Sequence, residues 1–207
     1  MQPGSSPSPG SLPALAFRQL MRLPANARAI FGAMAIYLAA VLVANATATT
    51  FIPLTLPFEH YPLISVGTLV FGITFTQRDR VHGAGRAWVY AMLLATAAAA
   101  TVQSMVTGVP WRIIVASSLA ILLAEAADTE VFHRLRNRRW TVRVISSNAV
   151  SIPLDSVIFN VVAFGALFGL ASVFPASMII AIIVGDILAK TVVGTAAATI
   201  RRQRGAA

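Results

Sequence analysis

Asp155, Asp186 and Lys190 are the side chains of this sequence best placed to do chemistry, because each lies well inside a long apolar run. A charge at membrane depth is costly, so it normally faces a bundle interior or a water-filled cavity and serves a solute, an ion or a proton. Asp186 and Lys190 are four residues apart and can pair on one helix face. That pair reads equally as a tie between helices and as part of a binding site. Asp155 has no cation within reach on its own helix, which favours a ligand-binding role. In the same run Asn148, Ser151, Asp155 and Phe159 are spaced three, four and four apart, which makes a polar stripe ending in an aromatic ring. Pro153 interrupts this run and has no N–H, so it predicts a kink and an open carbonyl at Ala149 facing a cavity.

Other polar residues carry weaker signals. Ser117, Ile121, Glu125 and Asp128 fall along one face of the preceding run, with Glu125 at membrane depth and Asp128 nearer its basic end. Both acids read equally as interfacial carboxylates neutralised by nearby arginines and as binding residues. Asn45 and Gln103 are amides of the kind that more often join helices than touch ligands. Several chemistries are excluded. The three histidines, His60, His82 and His133, lie in loops or at span ends, which leaves no Ser–His pair in the membrane. The sequence has no P-loop and no His-Glu-x-x-His motif, and the absence of Cys removes thiolate nucleophiles, thiolate metal sites and disulfides. No cofactor or metal is expected.

Elements that hold such residues must be membrane spans. Of 207 residues 57% are hydrophobic and 11% charged, against roughly 25% charged in a soluble domain. Six apolar runs, at 29–49, 61–76, 87–107, 113–132, 144–171 and 175–200, approach the length of a membrane helix. The fold class expected is therefore all-α, a bundle of six transmembrane helices. The 16 Lys and Arg outnumber the 7 Asp and Glu, but they cluster between the runs and so report topology, with the bilayer and not nucleic acid as partner. With the N-terminus inside, Arg18, Arg22, Arg28, Arg78, Arg80, Arg86, Arg134, Arg136, Arg138, Arg139, Arg143, Arg201, Arg202 and Arg204 are all cytoplasmic. The outer loops then hold only Arg112, so both termini are expected to be cytoplasmic. The organisation that follows is a Pro/Ser/Gly-rich and then basic tail over 1–27, a membrane domain over 28–200 and a basic tail over 201–207. A competing reading takes Arg28, the run to Val43 and Ala44-Asn45-Ala46 as a cleaved signal peptide, but a long charged extension before it is atypical.

Asn45, Arg78-Asp79 with Gly85-Arg86-Ala87, Asp128-x-x-Val131-Phe132-x-Arg134-Leu135-Arg136, Asp155 with Phe159 and Ala163-Phe164, and Asp186-x-x-x-Lys190 together resemble the queuosine precursor transporter family, also called the vitamin uptake transporter family. The likeness runs from about Ala29 to Ile200 and is most specific from Asp128 to Phe164. The stretch Arg80-Val81-His82-Gly83-Ala84-Gly85 departs from the acidic residue and aromatic-Gly pair of many members. The resemblance implies a multi-pass protein of the inner (plasma) membrane, without enzymatic activity, that imports 7-deazaguanines such as preQ0 or preQ1.

Such a base presents a ring N–H beside an exocyclic amino group, and one carboxylate can accept both hydrogen bonds. Asp155 or Asp186 would be that acceptor, with Asn148, Gln103 or Lys190 on the ring carbonyl and Phe71, Phe75 and Phe159 stacking on the flat base. Two other classes fit the same composition. One is a substrate-binding subunit of a multicomponent ATP-driven importer, and the other is an intramembrane enzyme using Asp155 and Asp186 as a carboxylate dyad. Lys190 beside Asp186 argues against the dyad, since a cation lowers an acid's pKa.

Overall fold

In hydrocarbon no water can satisfy a backbone N–H or C=O, so apolar runs of this length close their hydrogen bonds internally as helices. The computed structural model describes residues 24, 26–53, 63–167 and 169–205, and it is an all-helical protein with one small hairpin. The helices are α1 (Ala27–Ala46), α2 (Val66–His82), α3 (Arg86–Thr107), α4 (Trp111–Arg134), α5 (Trp140–Phe164) and α6 (Ala176–Gly205). Between α1 and α2, strands β1 (Phe51–Pro53) and β2 (Leu63–Ser65) pair antiparallel, with Ile52 opposite Ile64. Helix α3 stops at Gly108, whose φ of 73° is open to glycine and closes the last turn. Four helical stretches, Ala27–Ala46, Arg86–Thr107, Thr141–Phe164 and Ala176–Ala196, are long and apolar enough to cross a membrane. Their outward faces carry Leu94 at 65% exposure and Val192 at 68%, an apolar surface that suits lipid and not water.

The boundaries differ from expectation in three places. The run expected at 61–76 begins its helix at Val66 and continues to His82, so Arg78 and Arg80 belong to α2 and not to a loop. Ser65 sets this start: its hydroxyl accepts the Gly67 N–H at 3.1 Å and donates to the Ala48 carbonyl at 3.0 Å. Arg78 is consequently buried and drops out of the topology count as a loop charge. The fifth run ends at Phe164, seven residues before Ala171, where Gly165 takes an extended conformation. The first helix ends at Ala46 and the chain then turns into β1, ahead of the expected Thr49. Pro153 sits inside α5, which remains one helix on either side of it. The tail expected over 1–27 lies outside the described residues apart from 24, 26 and 27, whereas the basic end expected over 201–207 continues α6 as far as Gly205.

Two apolar clusters clamp the bundle. Tyr37 and Val41 of α1, Val81 of α2, Trp88 and Met92 of α3 and Ile121 of α4 form one. Ala116, Phe164 and Ile182 form the other, joined by Phe51, Phe159 and Phe174. Phe51 meets Phe164 and Phe174 edge-on at 6.1 and 5.7 Å, which docks the hairpin on the bundle. Close backbone approach does the rest. A Cβ at Gly185 would collide with the Leu63 backbone, so glycine lets β2 lie against α6 one residue before Asp186. At Gly67 a Cβ would come within 2.5 Å of the Ala44 carbonyl oxygen, which brings the start of α2 onto α1.

Candidate functional site

Between the two apolar clusters lies a cavity enclosing about 380 Å³, its mouth included. Its polar lining comes from Asn45 of α1, Ser65 and Thr68 at the start of α2, Ser117 of α4, Asp155 of α5, and Asp186 and Lys190 of α6. Phe71 and Phe159 supply its aromatic faces. Such a mixture, mostly apolar with a few converging polar groups, is the usual make-up of a small-molecule site.

Lys190 is the centre of the arrangement. Its Nζ lies 2.5 Å from Asp155 Oδ2 and 2.7 Å from Asp186 Oδ2, so one ammonium bridges two helices. It also donates to the Ser156 hydroxyl at 3.4 Å and stands 5.4 Å from the Phe71 ring centre. The two carboxylates differ in how far they are occupied. Asp186 accepts from Lys190, from the Thr68 hydroxyl and from the Asn160 amide at 3.4 Å. Asp155 is bound by Lys190 and keeps more acceptor capacity for a solute. Asn45 adds a donor, because its buried amide nitrogen has no hydrogen-bond partner among the described residues. A buried donor left open in this way is expensive unless a ligand or water takes it.

A row on α2 leads away from this cavity. Thr68, Phe71, Phe75 and Arg78 are spaced three, four and three apart on one face. Phe71 and Phe75 meet edge-on at 6.0 Å, and the Arg78 guanidinium lies 5.5 Å from the Phe75 ring centre. Arg78 then reaches Glu125 Oε1 at 3.2 Å and Asp128 Oδ1 at 3.6 Å on α4. Ser151 of α5 donates to the same Asp128 oxygen at 3.4 Å. His82, Glu125 and Asp128 offer ligand atoms within 4.8 Å of one another, with the Arg78 guanidinium contacting both acids.

Of the residues singled out in the sequence, Asn45, Phe71, Asp155, Phe159, Asp186 and Lys190 meet at the cavity. Glu125 and Asp128 gather instead around Arg78, with Phe75 packed between the two groups. Gln103 donates to the Leu42 carbonyl at 2.8 Å and so ties α3 to α1. Asn148 lies against α6, its amide nitrogen 3.4 Å from where a Cβ of Gly194 would stand. The α5 stripe thus splits: Asp155 and Phe159 reach the cavity, while Ser151 and Asn148 serve helix contacts. Ser117, from the polar face expected on α4, also lines the cavity, whereas the sequence does not single out Ser65, Thr68, Ser156 or Asn160. Lone Ser and Thr residues are common in apolar helices, and Asn160 is off the stripe, although its spacing of four from Ser156 marks a second polar row.

A family model described as "Putative vitamin uptake transporter" matches residues 25–200. The chain belongs to that family. Neither a curated protein nor a solved structure matches it. Family membership makes this vitamin uptake transporter family member a multi-pass membrane protein that handles a small molecule across a bilayer. Its cavity is the place in the described bundle where polar groups from five helices converge on space for a solute.

Proposed function

We propose that this protein imports a queuosine precursor, a 7-deazaguanine such as preQ0 or preQ1, across the inner (plasma) membrane. It would do so as a six-span bundle with cytoplasmic termini, by alternating exposure of a midplane site. The observation that carries the proposal is the convergence, on one cavity, of an incompletely occupied carboxylate at Asp155, an open amide donor at Asn45 and the rings of Phe71 and Phe159. Asp155 accepts the ring N–H and the exocyclic amino group side by side. The ring carbonyl takes a hydrogen bond from Asn45 or Lys190, and the two phenyl rings hold the flat base. Asp186, already held by Thr68, Asn160 and Lys190, positions the lysine and does not itself meet the solute.

The test is rescue of tRNA modification. Cells that can neither make nor import the precursor are given preQ0 and this protein. Recovery of queuosine in their tRNA is the expected result. No recovery, with either preQ0 or preQ1 and with the protein present in the membrane, overturns the proposal. Uptake by the purified protein in liposomes further separates a self-sufficient importer from a binding subunit that depends on an ATPase.

A further inference from the structure

Charge does not balance inside this bundle. Among the described residues the buried charged side chains are Arg78, Glu125, Asp128, Asp155, Asp186 and Lys190, four carboxylates against two cations. They divide into two clusters of like composition, each with two acids and one base. Among the described residues, and with His82 neutral, each cluster is short of one positive charge, and a buried uncompensated charge is strongly unfavourable. In the cavity the remaining acid adjoins open space, where water or a solute can solvate it. Glu125 and Asp128 do not line that cavity, so whatever compensates them has to be very small.

The missing charge can be traced to one atom. Asp128 is held by Arg78 and by the Ser151 hydroxyl. Glu125 accepts from Arg78 through Oε1, but its Oε2 is buried with no hydrogen-bond partner among the described residues, and the residue is only 7% exposed. The groups facing it are Arg78 and His82 of α2, Asp128 of its own helix, Asp155 of α5 and Tyr37 of α1. Tyr37 is fully buried, and its hydroxyl also lacks a hydrogen-bond partner among the described residues. A proton on Glu125 removes the surplus charge and turns an orphaned acceptor into a donor.

We propose that Glu125 is a proton-binding site, separate from the solute cavity, through which solute movement is coupled to a proton. The link runs along one face of α2, where Thr68 and Phe71 contact the Asp186 and Lys190 pair and Phe75 and Arg78 contact the second cluster. Asp155 also acts on Glu125 through its charge. Solute bound at Asp155 therefore alters the field in which Glu125 holds its proton. The coupling rests on the transport reading above, whereas the proton site can be tested with no solute present.

The test is an infrared titration of the purified full-length protein in lipid nanodiscs. A protonated carboxyl band that persists at neutral pH is expected in the wild type. It should vanish in Glu125→Gln and survive in Asp155→Asn. Tyr37→Phe, which leaves Glu125 in place, should shift the midpoint of the band and decides the matter should Glu125→Gln fail to fold. A wild type with no such band, a band that survives Glu125→Gln, or a midpoint indifferent to Tyr37→Phe overturns the proposal. A wrong choice of solute changes none of these spectra, so failure of the proton site and failure of the substrate assignment are told apart.

Discussion

The Asp155–Lys190–Asp186 cluster and the Glu125–Arg78–Asp128 cluster have the same charge composition and opposite access. The first opens on a cavity and is surrounded by donors, namely Asn45, Thr68, Asn160 and the lysine itself. The second is closed off by Phe75, Tyr37 and Ile121 and holds one carboxylate oxygen with nothing to accept from. Composition alone therefore does not assign a role to an intramembrane charge. The space beside it and the acceptors left open decide whether it meets a solute or something as small as a proton.

The comparison breaks most severely at the two cations. Lys190→Met strands two carboxylates, and loss of one partner of a buried ion pair costs about 3–5 kcal/mol. Thermal denaturation in detergent should show a loss of that order together with no uptake. Arg78→Met should destabilise to a similar extent, again about 3–5 kcal/mol, yet the folded fraction should still bind solute, because Arg78 does not line the cavity. Equal loss of binding in both variants would erase the distinction between the clusters.

Smaller changes sharpen it. Asp155→Asn keeps the shape but removes an acceptor, and uptake should be abolished while the protein still inserts in the membrane. Near-normal uptake would remove Asp155 from the site. Asn45→Ala deletes one open donor and should weaken solute affinity about tenfold, about 1.4 kcal/mol, by equilibrium binding. Gln103→Ala should leave affinity in place and cost about 0.5–1.5 kcal/mol of stability, since its hydrogen bond to Leu42 joins helices outside the cavity.

Much of this site was legible in the sequence, for a physical reason. Charges at membrane depth are rare enough that Asp155, Asp186 and Lys190 stand out individually, and helical spacing puts Phe159 beside Asp155. Spacing reports only what shares a helix, however. It pairs Lys190 with Asp186 and is blind to Asp155, which Lys190 reaches across the α5–α6 contact. Arg78 was misplaced for a related reason: hydropathy ends the run at Thr76, whereas the α2 backbone continues to His82 and Arg78 pairs with Glu125 and Asp128 of α4. Asn148 and Gln103 show the converse. Their residue type suits a ligand, but Gln103 spends its N–H on Leu42 and Asn148 packs against Gly194, and neither lines the cavity. The six apolar runs became six helices, with ends displaced where Gly165 and the β1 turn stop a helix that hydropathy would continue.

The claim that one cluster serves the solute and the other the proton is tested most directly by comparing Asp155→Asn and Glu125→Gln in liposomes loaded with preQ0. Exchange of labelled preQ0 is followed first without a pH gradient and then with one. Glu125→Gln should exchange solute but fail to accumulate it when the gradient is imposed, and Asp155→Asn should do neither. Gradient-driven accumulation by Glu125→Gln at the wild-type level, or exchange by Asp155→Asn, would contradict the account.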